Sequence, residues 1–144
     1  MTGGIGSTFG NDLLKLIFNA TAIANVADNA ASSPLTQLYL SLHTADPGAG
    51  GSQTTSEAAY TSYARVAVSR TSSGFTVSGL NATLTSSVSF PAATGGSETE
   101  TYFAVGTAST GTGKVLGRGS ISPTISVSNG VTPQLTTGTT TTIA

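Results

Sequence analysis

Few side chains in this sequence are equipped for acid–base or nucleophilic chemistry. The one histidine, His43, has Asp46 close behind it. A serine nucleophile of the hydrolase type sits on a sharp Gly-x-Ser-x-Gly turn, and no such turn occurs in the chain. His43 is therefore expected to be a surface or interface residue, and no catalytic residue is assigned. The chain has no cysteine and one histidine, which leaves a zinc site without ligands. Glu98 and Glu100 are two apart and share a face of an extended chain, where their oxygens suit a hard cation such as calcium. Two carboxylates without a fuller oxygen cage read better as the solvated start of a strand, so no metal and no cofactor is assigned.

Gly111-Thr112-Gly113-Lys114 has a superficial likeness to a phosphate loop. The full pattern needs a glycine five positions before Gly113 and a Ser or Thr after the lysine. The chain has Ala108 and Val115 there, and no helical pattern follows. A β-turn between two strands is the better reading. Asn19-Ala20-Thr21 and Asn81-Ala82-Thr83 fit the glycosylation pattern, which has meaning only on a secretory route. Strand faces rich in Ser, Thr and Tyr offer hydroxyls to a sugar, but the chain has no tryptophan to stack on one, and no small-molecule substrate is expected.

The elements that would carry these residues follow from periodicity. Residues 1–10 are glycine-rich and read as an arm. Over residues 11–20 the spacing predicts a short helix: Phe9, Leu13, Ile17 and Ala20 fall on one face, with Leu14 and Phe18 on a neighbouring stripe. Asn11 is placed to cap it, and Asp12 suits the positive end of its dipole. So apolar a helix must pack on its own domain or on a partner, and Phe9, Leu13, Ile17 and Phe18 are the expected anchors and candidate interface residues. Residues 21–34 read as a linker ending at Ser32-Ser33-Pro34.

From there the period becomes two. In Leu35–His43, the residues Leu38, Leu40 and Leu42 alternate with Gln37, Tyr39, Ser41 and His43, the pattern of a half-buried strand. Asp46-Pro47-Gly48 breaks it, because proline presets the turn and glycine accepts positive φ. Further strands are expected over residues 63–69, 74–78, 80–90, 102–107 and 114–121. The 80–90 stretch alternates most cleanly, with Leu80, Ala82, Leu84, Val88 and Phe90 on one side and Pro91 at its end. Ile125 and Val127, then Asn129-Gly130, then Val131 and Leu135 predict a hairpin. A Thr-rich strand ending at Ile143 closes the series. The fold class expected is mainly β, an antiparallel β-sandwich or jelly-roll-like domain over 35–144, after an arm, short helix and linker over 1–34.

Composition sets the outer bounds. The chain's 144 residues suit one core without staples. Charged residues make up only 8%, against about 25% in an average globular protein. Hydroxyls rather than charges make the surface polar, and copies pack together with little mutual repulsion. Lys15, Arg65, Arg70, Lys114 and Arg118 are scattered and the net charge is −1, so nothing recruits nucleic acid phosphates. No stretch approaches a membrane span, and Met1–Gly6 lacks the features of a signal peptide. The expectation is a protein made in the cytoplasm, with neither nucleic acid nor membrane as partner.

A wider resemblance rests on the order of several segments. These are Leu38–Gly48 (LYLSLHTADPG), Ser62–Val68 (SYARVAV), Val88–Ala93 (VSFPAA), Tyr102–Gly106 (YFAVG) and Ser126–Gly130 (SVSNG), followed by the Thr-rich end. In this order they resemble small virion proteins of tailed bacteriophages, variously described as capsid decoration, tail or tail-fibre proteins. The resemblance implies a structural protein and no enzyme. It implies a virion location, with the capsid surface favoured and the tail as the alternative. As a decoration (cement) subunit the chain would bind the major capsid protein and copies of itself as a homotrimer, since such sites often lie on threefold axes. Weak contacts repeated over many sites would then add up to reinforce the shell.

Overall fold

The computed structural model describes residues 6–23, 26–27 and 33–142. The expected arm and linker fall partly outside them, as does Ile143. The chain is mainly β, with antiparallel sheets and one short N-terminal helix, as the periodicity predicts. The secondary elements are α1 (Ser7–Asn19), β1 (Gln37–His43), β2 (Val66–Ser69), β3 (Phe75–Ser78), β4 (Asn81–Leu84), β5 (Val88–Ser89), β6 (Glu98–Gly106), β7 (Val115–Val127), β8 (Gln134–Leu135) and β9 (Thr140–Thr142). They fall into two compact units, neither of which is one continuous run of chain.

The first unit draws on Met1–Gln37, Ser69–Ser86 and Thr136–Ala144. Its sheet has the order β3-β4-β9. The period-two pattern sends Phe75, Ala82, Leu84 and Thr141 inward, while Thr76, Ser78, Asn81 and Thr142 stay exposed. Helix α1 packs against β3 and β4, burying Leu14 and Phe18. The Phe18 and Phe75 rings meet edge to face with centroids 5.0 Å apart. Burial of each such side chain contributes roughly 1.5–3 kcal/mol.

The helix begins a turn earlier than expected. Gly6 is its N-cap, with no side-chain cap, and Asn11 does different work: its amide donates to the Gly79 carbonyl at 2.7 Å, tying the helix to the β3–β4 turn. At the C-terminus Ala20 is left-handed (φ 53°) and the Thr21 N–H reaches the Lys15 carbonyl at 3.1 Å, a Schellman closure. Arg70 satisfies the free carbonyls of the last turn. It donates through Nε to Ile17 O at 2.6 Å, through a terminal nitrogen to Leu16 O, and to Leu35 O at 3.1 Å. A cation there also complements the negative end of the helix dipole.

The second unit comprises Leu38–Val68 and Ser87–Leu135. It carries a four-stranded sheet of order β2-β1-β6-β7 and the two-stranded pair β5-β8. Leu38, Leu40 and Leu42 are buried on one face of β1, with Phe90, Phe103, Val105 and Leu135 also in the core. The stretch expected as one strand over 80–90 divides at residues 85–87: β4 joins the first unit's sheet, and β5 pairs with β8.

Asn129-Gly130 turns the chain but makes no hairpin. Only Gly130 has positive φ (89°), whereas the tight hairpin turn needs it at both central residues. The chain beyond therefore leaves β7: Gly130 and Val131 bond with Ala93, and β8 pairs with β5.

Candidate functional site

The polar residues best suited to chemistry gather in the second unit. Ser41 Oγ lies 2.8 Å from His43 Nε2, and His43 Nδ1 lies 2.9 Å from the Thr55 carbonyl. A carbonyl can only accept, so Nδ1 carries the proton and Nε2 accepts from the Ser41 hydroxyl. That is the local arrangement of a serine beside its base. Its surroundings deny it a substrate, because both residues are 0% exposed. Burial pulls the His43 pKa down, with the Thr55 bond opposing, so the imidazole stays neutral.

The expected surface position of His43 is thus corrected. Residues 56–58 pair with β1 beside His43, and the preceding Thr55 carbonyl reaches the His43 ring. Thr44 N–H donates to Ser56 O at 2.9 Å, and Ala58 N–H to Leu42 O at 2.8 Å. Alternation on β1 identified the apolar side correctly, but the other side is buried as well.

A second cluster fastens this segment. Arg65 grips Glu57 through Nε at 2.6 Å and Nη2 at 2.8 Å, a two-pronged ion pair. The Arg65 side chain is 3% exposed and that of Glu57 15%. Arg65 also donates to the carbonyls of Ala108 (2.9 Å) and Gly111 (2.7 Å). The Tyr63 hydroxyl donates to Glu57 Oε1 at 2.9 Å and accepts the Leu42 N–H at 3.1 Å. The bond to Glu57 raises the Arg65 pKa, and burial raises that of Tyr63. Each nitrogen of Arg65 and both carboxyl oxygens of Glu57 are bonded to the protein itself.

Gly111-Thr112-Gly113-Lys114 forms the expected turn, with Gly111 at φ 70°. The space a phosphate would need is filled by Gln53. Its Oε1 accepts from Ala108 N–H at 3.0 Å and its Nε2 donates to Tyr39 O at 3.3 Å. A Cβ at Gly113 would stand 1.9 Å from Gln53 Oε1, and one at Gly106 2.0 Å from Gln53 Cδ. These glycines make room for a glutamine side chain, a requirement no spacing pattern signals.

At the start of β6, Glu98 and Glu100 do share a face, but not a solvated one. Glu98 Oε1 accepts the N–H groups of Ala59 and Tyr60, each at 2.8 Å. Glu100 is 0% exposed, and neither of its carboxyl oxygens has a hydrogen-bond partner. Burial and the neighbouring Glu98 push its pKa up to about 8. Among the described residues, no three His, Cys, Asp or Glu side chains converge on a point that could hold a metal. Asp46 accepts from Gly48 N–H and from Arg118 Nε, each at 2.8 Å; the Gly48 bond first, then Arg118, holds its pKa low.

The four candidate interface residues separate by depth. Phe18 is a core residue, 1% exposed, and its ring is not available to a partner. Leu13 and Ile17 are half-buried, and Phe9 is 44% exposed at the start of the helix. Leu35, which periodicity assigned to β1, precedes that strand and is also exposed.

Among the described residues no constellation is both reactive and reachable, and the resemblance to phage virion proteins meets an independent comparison. A family model described as "Podophage GP4 fiber I protein gp80" matches residues 7–142. No curated protein matches the chain. The match takes in the helix and both units, so the chain belongs to this family of podophage fibre proteins and is a structural component of a phage virion.

Proposed function

We propose that the protein is a building block of the tail-fibre apparatus and does no bond chemistry. The observation that carries this reading is the consumption of its reactive groups: Ser41 and His43 are sealed, and Glu57, Tyr63 and Arg65 are committed to one another and to backbone. A fibre subunit needs a rigid fold and a contact surface. Phe9, Leu13 and Ile17 on α1 supply an apolar stripe for a neighbouring subunit, either another copy of the chain or an adjoining virion protein. The head-decoration reading, with the major capsid protein as partner and a homotrimer as the binding form, competes for the same stripe but gains no support from the family's fibre description.

Copy number separates the two. Quantitative mass spectrometry of purified virions, scaled to the major capsid protein, is expected to find a small number of copies per particle. A number comparable to the capsid protein would replace the fibre reading with the decoration reading. Complete absence from virions would overturn both.

A further inference from the structure

A buried carboxyl group with no partner is costly, and native structures rarely keep one without a reason. Glu100 is such a group, with both oxygens shielded from water and unbonded. A second carboxyl, Glu98, lies two residues away on the same face of β6, acts on Glu100, and holds the Ala59 and Tyr60 N–H groups through Oε1. Two carboxylates side by side repel, whereas one proton between them makes a short, charge-assisted bond. We propose that Glu100 keeps its proton and donates it in a hydrogen bond to Glu98, forming a latch that holds the Ala59–Tyr60 segment to β6 and loosens when the proton is lost.

The surroundings leave the proton as the available counterweight. From the Ala59–Tyr60 segment only Tyr60 approaches, and its hydroxyl donates elsewhere, to Pro91 O at 3.0 Å. Tyr60 is itself pushed up to about 12 by burial and then by the two glutamates, so it carries no charge at working pH. On β7, Glu100 lies opposite Ile125 and Glu98 opposite Val127, and no residue from Val115 to Val127 other than Arg118 is charged. Arg118 faces Ala104, further along β6, and is paired with Asp46. On β1 the nearest titratable group is His43, opposite Tyr102. Residues 87–97 contain none. The latch lies beyond the proposed fibre role and does not depend on it.

The sign of the effect follows from linkage. The folded chain keeps on Glu100 a proton that the unfolded chain has lost, so folding takes up a proton across the interval from the ordinary carboxyl range to about 8. The contribution of Glu100 to stability is full below the ordinary carboxyl range, declines as pH rises through that interval, and levels off above it. His43 acts in the opposite direction, but only below about 6.5, the ordinary histidine value. The window from about 6.5 to 8 is therefore clean.

Equilibrium unfolding of the full chain in urea, compared with Glu100→Gln, reads the effect. Glutamine keeps a donor toward Glu98 and does not titrate. In the wild type the folding constant is expected to fall about tenfold per pH unit across the window, while Glu100→Gln stays flat and is the more stable of the two at pH 8. Parallel curves for the two proteins would overturn the latch. Carbon-13 NMR of the Glu100 carboxyl in the wild type decides independently of whether the variant folds. A midpoint near 8 supports the proposal, and one in the ordinary carboxyl range overturns it. If calcium raises the unfolding midpoint while Glu100 is already ionised at pH 6, the counterweight is a cation and the proton latch is wrong.

Discussion

Arg65 shows how a residue that looks like surface in the sequence becomes structural. It stands among alternating residues in a chain with only five basic side chains, and nothing in its neighbourhood announces a partner. In the fold its side chain is 3% exposed and bonds Glu57, Ala108 and Gly111. Removing one member of a buried, doubly bonded ion pair leaves the other charge stranded, so Arg65→Ala is expected to cost about 3–5 kcal/mol in urea unfolding. Arg65→Lys restores the charge but not the fork, and should recover only part of that loss. The same lesson applies to His43 and Glu100. Alternation tells which side of a strand is apolar, but it cannot tell whether a loop will later cover the polar side. Both residues were legible as lying on a polar face and illegible as buried, because the adjoining segments, residues 55–58 beside His43 and 58–61 beside Glu100, are irregular and carry no period.

At the scale of elements, the helix and most strands were legible because burial on one side imposes a period of 3.6 or of two. Residues 80–90 show the limit. Their even positions Ala82, Leu84 and Phe90 are buried as expected, yet the run serves two sheets, and a constant period says nothing about where pairing changes. Asn129-Gly130 is a strong local turn signal that tertiary pairing redirects. The turn at Gly111–Gly113 was legible as a turn, but its purpose was not, because Gln53 arrives from far away in sequence. That packing makes a direct prediction. Gly113→Ala forces a methyl into the Gln53 amide and should destabilise by about 1–3 kcal/mol, the usual cost of overpacking. Shortening the plug in the double variant Gln53→Ala/Gly113→Ala should give a loss smaller than the sum of the two single losses, as measured in a double-mutant cycle. Strict additivity would mean that the two positions do not press on each other.

On the scale of the whole molecule, the scarcity of charge and the virion role agree. A surface of hydroxyls lets copies approach one another without strong repulsion, and all three arginines are engaged within the chain: Arg65 on Glu57, Arg70 on the helix end, and Arg118 on Asp46 in an exposed pair. The composition foretold a sociable surface, and the ordered segments resembled phage proteins, but the assignment to a fibre family came from the comparison over residues 7–142. The division into two units was not legible. The change of period near residue 34 suggested a helix set apart from a β-domain, whereas α1 packs with β3 and β4, strands from well inside the β-rich region.

That interleaving reaches beyond the finished fold to its manufacture. The helix leaves the ribosome before its sheet: β3 and β4 emerge some sixty residues later, and β9, which borders β4 and bonds Thr83 through Thr140, follows only after the whole second unit has been made. Until then the apolar side of α1 waits without its complete sheet, a long loop to close before the contact is rewarded. A chain stopped after Leu135 should therefore lose amide protection at Asn81–Leu84 and around Phe18 in hydrogen exchange, and should aggregate more readily than the full chain. Ribosomes that stall late in this message would release not a slightly shortened subunit but one with its oldest hydrophobic surface still uncovered, the kind of product a host chaperone holds and a virion never receives.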